Sequence, residues 1–600
     1  MGTTEIRNGA EDVHWDLDPL VDGDGTDGVH RHLHQAARLA TELTESDRGT
    51  IGDIDGAGLA AVMSTYGEIV EHLRRAFGYA QLRWSTDAAD DELGALMQHT
   101  EEQQTTVQAS LAWFRVEWLA IDSARAEELV AHEALAPYAK HLREMRRWVD
   151  HVLTEPEERL LTETSVTARS AWVRLFEENS AVIKIDLPDE DEPVNLPTAL
   201  ARLYLPDSGV RAQTASSLTA GLQPGLKTRA FALNTLVSER ALRDRLRGWP
   251  TWISEWNATQ ETTDDAVDAL VSAVTNRYDT AQRWYRTKAQ LLGSDRLAHH
   301  DRHAAVVDDD TTVSWDGATT TVLDALGDWS PTLADIAGRF VNEGWIDAPT
   351  APAKRGGAFC HYTVPSHHPY VFLNFTGGRD DVLTLAHELG HGIHGYLARE
   401  QGIFHQSTPL TVAETASVFG ETLTLDRMLA ADPDPAARLA LLATSVEGNI
   451  ATVFRQVALN RFEDAVHTHR RQRGELSVDD ISGHWMRTQA DLVADTVDLD
   501  GYETWWSYVG HFYFAPGYVY AYAFGQLLAL AVYARARHAG EGFIDDYLAM
   551  LAAGGSRPPV ELAAMVGCDL SDPDFWDDGL SLIDAQVDDA IAAAHAAGRL

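Results

Sequence analysis

The chain reads as mainly α-helical with one small β element beside a metal-binding motif, and three observations predict this. Apolar residues recur at helical spacing through most of the 600 residues. One short aromatic and β-branched run, Tyr370-Val371-Phe372-Leu373-Asn374-Phe375, stands between Pro369 and Gly377-Gly378 and has the composition of a strand. His387-Glu388-Leu389-Gly390-His391 follows within a new apolar periodic stretch, so the strand leads straight into a helix that carries the motif.

Taken in order, residues 1–28 are rich in Asp and Gly and are expected to be an acidic, flexible N-terminus. From 29 to about 180 the pattern is helical, with Ile69-Val70, Leu73 and Phe77 on one face and Leu111, Phe114 and Trp118-Leu119 on another. Ser85-Thr86-Asp87 and Thr154-Glu155-Pro156 punctuate it with cap and turn chemistry. Residues 180–205 alternate apolar positions among several prolines, which suits a short hairpin and a domain boundary. The division expected is therefore a helical domain over 29–195 and a second domain, holding the motif, over 196–600. Helical patterns resume over 208–292 and 318–343, and after the motif they continue to the end with loops near 400–411, 431–436, 472–477 and 509–517. No fixed-period repeat is present. Gly377-Gly378 turns the chain ahead of the motif, and Asp380-Asp381 suits a helix start, where carboxylates meet the positive end of the dipole.

Composition narrows the class. A 45% hydrophobic content with 23% charged residues is ordinary for a globular protein, but a net charge of −43 is not. So acidic a surface repels nucleic acid and anionic membranes, and neither is an expected partner. Tyr518 to Ala534, the longest near-apolar stretch, contains Gly525 and Gln526 and falls short of a membrane span. Two cysteines, Cys360 and Cys568, imply no disulfide framework and a reducing setting. Cys360 falls in a loop upstream of the motif by this reading. The first residues lack the order of a secretion signal, and Ile6 stands where a myristoylation site wants Ser or Thr, so a cytoplasmic location is expected.

His387 and His391 are four residues apart, which puts both imidazoles on one helix face within reach of a single ion. Glu388 points to the side where a bound water would lie. Two neutral nitrogens, a water of lowered pKa and a carboxylate to take its proton make a zinc hydrolase. Zinc needs a third protein ligand. The metzincin continuation fails, because it requires glycine at 394 and histidine at 397, where this chain has His394 and Leu397. His394 shares the face of the first two, but positions 387 to 394 span roughly 10 Å of helix and would surround one ion poorly. Glu414, in a second helical pattern running from Thr411 to Glu421, can present a carboxylate from another direction and is the favoured ligand, with His394 kept as an alternative or supporting group. Glu421, two turns further on, could hydrogen-bond a ligating histidine.

Several longer stretches occur in order between about 350 and 530: KRGGAFC, VFLNFTGGRDDVLTLAHELGHGIH, TVAETASVFGE, FRQVALNRFEDAVH and HFYFAPGYVYAYAFGQ. With these the chain resembles the oligoendopeptidase F branch of the thimet oligopeptidase-like zinc metallopeptidases. The resemblance implies a large helical zincin-type metallopeptidase with a deep substrate cleft that admits short peptides and excludes folded proteins. It implies one zinc ion per chain with Glu414 as third ligand, and oligopeptide substrates. It also implies that the strand with Val371, Phe372, Leu373, Asn374 and Phe375 lines the cleft and pairs with substrate backbone. Peptide hydrolysis passes through an oxyanion, which a phenol or an imidazole N–H can stabilise. In the family a histidine and tyrosines of the last stretch do so. His511 is the natural match; among the tyrosines Tyr518 and Tyr522 rank first, with Tyr513 and Tyr520 as substrate contacts. The expected activity is hydrolysis of internal bonds of short peptides with Glu388 as general base. A helical zinc carboxypeptidase or dipeptidase is the alternative, opposed by the extended motifs, and a non-catalytic peptide-binding protein is opposed by Glu388 beside intact ligands.

Overall fold

Helices dominate the computed structural model, which describes residues 8–307, 309, 311–539, 542–570, 572 and 574–600. The chain forms two compact units. One comprises Met1–Val149, Asp310–Ala430 and Arg535–Asp569, and the other Asp150–Asp309, Ala431–Ala534 and Leu570–Leu600. The units interleave along the chain and do not follow a linear division at 195, because helices distant in sequence complete each core.

The first unit is built on α1 (Gly25–Asp47) and α2 (Gly56–Thr86). On α1, Val29, Leu33, Ala36, Ala40 and Leu43 recur every three or four residues and are all buried. They join Leu59, Met63, Ile69 and Leu73 of α2 and Leu111, Phe114 and Trp118 in one apolar cluster. Each large side chain buried in it contributes roughly 1.5–3 kcal/mol. The expectation of a flexible stretch over 1–28 does not hold from residue 8 onward; residues 1–7 lie outside the described residues. Leu20 and Val21 are fully buried, and Trp15 packs on Tyr370 and Phe372. The few apolar side chains among the Asp and Gly residues outweigh the local composition once a core is there to receive them.

The small β element also belongs to this unit. Strands β1 (Ile346–Asp347), β2 (Phe359–His361) and β3 (Tyr370–Phe372) lie in the order β1-β3-β2, with β1 parallel and β2 antiparallel to β3. Cys360 pairs with Val371 and is therefore part of a strand rather than a loop. Gly377, at φ +96°, makes the turn after β3, and α3 (Arg379–Ala398) begins under a cap in which Asp381 Oδ2 accepts the N–H groups of Thr376, Gly377 and Gly378 at 2.7, 2.9 and 3.1 Å.

The second unit has the expected hairpin, Lys184–Ile185 against Val194–Asn195, and a helical body that buries Trp284, Trp485, Trp506 and Trp576 completely. The helix Pro435–Asn449 passes through a π-helical stretch, Ile450–Arg455, into α5 (Gln456–Arg473). Further on, α6 (Tyr520–His538) follows the His511 segment. Among the described residues no helix is long and apolar enough to cross a membrane.

Candidate metal centre

α3 presents His387 and His391 one turn apart, with ring centroids 4.9 Å from one another. Gly390, between them, faces the chain that supplies the next ligand. A Cβ there would stand 2.4 Å from the Ala416 carbonyl oxygen and 2.5 Å from Ser417 Cα. Glycine inside a helix costs about 1 kcal/mol relative to alanine; here it permits the close approach that carries Glu414 to the histidines. The Thr411–Glu421 stretch is not one helix, as its pattern suggests. A single turn, Leu410–Ala413, ends at Glu414, and α4 (Ser417–Ala431) starts afresh. Glu414 sits at the break, where its carboxylate can turn toward α3 and accept a hydrogen bond of 2.7 Å from Ser417 Oγ.

Glu414 Oε2 lies 3.3 Å from His387 Nε2 and 3.3 Å from His391 Nε2. Atoms held by one tetrahedral ion at about 2.0–2.1 Å are about 3.3 Å apart, so the spacing and the two-nitrogen, one-oxygen donor set fit zinc. Among the described residues these three form the one cluster with metal-binding potential, their ligand atoms within 4.8 Å of one another. His394 is not in it. It is buried, Nδ1 has no partner among the described residues, and burial followed by the charge of His391 lowers its pKa to about 4. Glu421, from α4, places Oε2 3.1 Å from His387 Nδ1, where it orients the ring.

The electrostatics follow from burial against charge. For His387, burial opposes protonation, but hydrogen bonds to Glu414 and Glu421 outweigh it and raise the pKa to about 10. Burial pushes the Glu414 carboxyl up, and the two histidines overcome this and hold it far below the usual range. A cation seated there would take the place of that proton. Glu388, beside the ligands, is pushed up by burial against the pull of His387 and His391, and its Oε2 has no hydrogen-bond partner among the described residues. Sequence reasoning overlooked Tyr362. Burial raises its hydroxyl well above the tyrosine value, and the neighbouring Cys360, Glu414 and Glu388 add to this, which puts it beside the centre. Cys360 is likewise held protonated, by burial and then by Glu388. Only their position just after KRGGAF signals either residue.

The expectation for β3 requires correction. It is the middle strand: Val371 N–H and Leu373 N–H donate to Trp345 O and Asp347 O at 2.9 and 2.8 Å, and β2 takes the opposite edge. Val371, Phe372, Leu373 and Phe375 are buried, so neither their backbone nor their side chains are open to a substrate strand. Asn374 is occupied too, donating at 2.8 Å to both Arg355 O and Gly357 O and so pinning the glycine-rich segment.

In the second unit, a short helix at His511–Phe514 and the Pro516-Gly517 turn bring three expected residues together. The Tyr522 hydroxyl is 3.4 Å from His511 Nε2, the Tyr518 ring stacks over His511 at 5.7 Å, and Tyr518 meets Tyr522 edge-on at 5.0 Å. Burial lowers the pKa of His511, which favours the neutral ring. Tyr513 and Tyr520 do not join them as substrate contacts, and this too is a correction. Tyr513 is fully buried, stacks on Phe176 at 3.6 Å and donates to Arg229 O at 3.4 Å, while Tyr520 is fully buried in the core. Helical and aromatic spacing alone could not separate core tyrosines from the others. Glu463 of α5 was also missed. It is buried, and its Oε1 accepts the Gly517 N–H at 3.0 Å, which fixes the turn just ahead of Tyr518.

Comparison with known proteins gives concordant results. The model of peptidase family M3 matches residues 202–582, and that named Oligopeptidase F matches 117–184. Oligopeptidase PepF of Bacillus subtilis is 24% identical over 97% of this chain and 87% of its own length. An oligoendopeptidase F homolog of Lactococcus lactis is 22% identical over 96% of each. Among solved structures, a putative peptidase from Chlamydophila abortus superposes with a TM-score of 0.86 at 21% identity, covering 97% of this chain and 98% of that one. Oligoendopeptidase-F from Enterococcus faecium superposes at 0.71 with 20% identity, covering 97% and 100%. At these identities the structural matches establish the fold.

Proposed function

The chain belongs to peptidase family M3, and from that premise we propose that it is a zinc-dependent oligoendopeptidase cutting internal bonds of short peptides. The observation that carries this reading is the convergence of His387, His391 and Glu414, with a buried Glu388 carboxylate oxygen unpartnered among the described residues beside them. The two histidines and Glu414 would hold the ion. When bound, zinc supplies Lewis acidity toward the scissile carbonyl and lowers the pKa of water. Glu388 takes the proton from the attacking water and returns it to the leaving amine, a role that suits a carboxyl whose burial has raised its pKa. Glu421 holds the His387 ring with its other nitrogen toward Glu414. His511 and the Tyr518 and Tyr522 hydroxyls supply hydrogen bonds to the oxyanion, as donors grouped on one segment. Cys360 and Cys568 are thiols rather than a disulfide, which supports a reducing compartment, the cytoplasm.

Digestion of a mixed peptide pool by zinc-loaded protein, with mass spectrometry of the products, tests the reading. Internal cuts in peptides blocked at both ends are expected. Cleavage confined to free C-termini would replace it with a carboxypeptidase or dipeptidase, and intact peptides throughout would replace it with a peptide-binding protein.

A further inference from the structure

We propose that the second unit binds a small anion in a cavity between Arg302 and Arg455. The cavity, of about 50 Å³, is lined by Tyr285, Arg302, His303, Glu447 and Arg455 and by the first residues of the π-helical stretch. The extra residue per turn in such a stretch reorients the side chains that follow and often marks a functional site; here it delivers Arg455 to the cavity.

The charges around this space do not balance. Lys288 is completely buried and takes Glu447, with Nζ 2.6 Å from Oε1, while also donating to Arg302 O at 2.8 Å. Asp301 is taken by Arg211 at 2.8 Å. Among the described residues no carboxylate lies within ion-pair distance of Arg302 or Arg455. Arg302 instead donates from Nε to His299 O at 3.0 Å, and the charges of both arginines act on Tyr502. Arg302 lies over the Tyr502 ring at 4.9 Å, and Arg455 Nε is buried with no partner among the described residues. Burial alone would raise the Tyr502 pKa, yet the two arginines pull it below the usual tyrosine value, a measure of the positive field they create. His303 adds no charge, because burial lowers its pKa to about 3.

Two part-buried guanidinium groups face this half-open space, and the one carboxylate in its lining, Glu447, is already taken by Lys288, so the excess positive charge favours a counter-ion. The chain has a net charge of −43, yet among the described residues no acid pairs with either group. A halide or a small oxyanion fits both the volume and the forked donors. Tyr502 and Tyr508 bracket the Trp505–Tyr508 turn that leads to His511, so occupancy would also order the approach to that residue.

Thermal midpoints at constant ionic strength test binding independently of any peptidase activity. Replacing gluconate, too large for the cavity, with chloride or inorganic phosphate should raise the midpoint by about 2–4 °C. Arg455→Gln should abolish the rise. Crystals soaked in bromide should show an anomalous peak between the two guanidinium groups, a measurement that needs no variant. A response to phosphate but not chloride would assign an oxyanion; a response to both, a simple anion site. Equal midpoints in all three salts with no bromide peak, or a rise that persists in Arg455→Gln, would overturn the proposal. Because neither readout depends on turnover, its failure is distinct from failure of the zinc reading.

Discussion

His387 and His391 stand one turn apart on α3, whereas His511 and Tyr522 come within 3.4 Å across eleven positions that include Pro516 and Gly517. On α3 the spacing is a property of the helix itself, and tertiary structure adds only Glu414 and Glu421 from the following segments. The later cluster has no such frame. Its turn depends on Gly517, at φ +87°, whose N–H is held by the buried Glu463, and on aromatic contacts such as Trp256 against Tyr518. A Cβ at Gly517 would meet Ile253 Cγ1 at 3.3 Å. Chemistry placed by secondary structure should therefore survive loss of a neighbour, and chemistry placed by a turn should be sensitive to what lies beneath it.

The largest effect should come from the α3 side. Glu388→Gln removes the proton acceptor and leaves every proposed ligand, so kcat should fall about 10³-fold or more with metal content unchanged by mass spectrometry. Full turnover at normal occupancy would end the assignment.

The second cluster should divide cleanly. His511→Asn or Tyr522→Phe should lower kcat about 10²-fold with little change in KM. Tyr513→Phe, in the core, should stay within about threefold because one buried hydrogen bond contributes only about 1 kcal/mol to stability. Equal losses in all three would dissolve the distinction between reactive and core aromatics.

Glu421→Gln tests the support of α3. It should weaken zinc affinity by about 10-fold or more in competition with a chelator, while histidine spacing is preserved.

The smallest effect concerns Glu463 and the turn. Burial raises its pKa to about 8 against the Gly517 N–H and Arg240, whereas an exposed glutamate titrates near 4.5. Below 4.5 both folded and unfolded chains carry the proton. Between 4.5 and 8 only the folded chain does, so folding takes up a proton and stability falls as pH rises, by up to about 1.4 kcal/mol per unit, before levelling above 8. Glu463→Gln is neutral and lacks this fall. Its thermal midpoint should gain on the parent by a few degrees from pH 5 to 8, and a constant difference would mean that Glu463 is ionised in the fold throughout.

Much of this was legible in the sequence, unevenly so. The mainly helical class, the hairpin near 184–195 and the helix start at Asp380-Asp381 follow from periodicity and cap chemistry, which are local. The strand at 370–372 was legible as a strand but not as the middle one, because its hydrogen-bonding partners at 346–347 and 359–361 come from segments with no strand-like pattern. Likewise the burial of Trp15, Leu20 and Val21 could not be read from an Asp- and Gly-rich stretch whose core lies elsewhere in the chain.

By itself the sequence determined the helix with His387, Glu388 and His391 on it, since 3.6 residues per turn sets their spacing whatever surrounds them. It also named Glu414, Glu421, His511 and Tyr522 as residue types able to complete the chemistry. Only the tertiary structure decided that Glu414 sits at a helix break facing both imidazoles, that His394 stays apart, and that Tyr513 and Tyr520 are core. Those outcomes rest on packing and on the balance of burial against charge, which depend on neighbours distant along the chain.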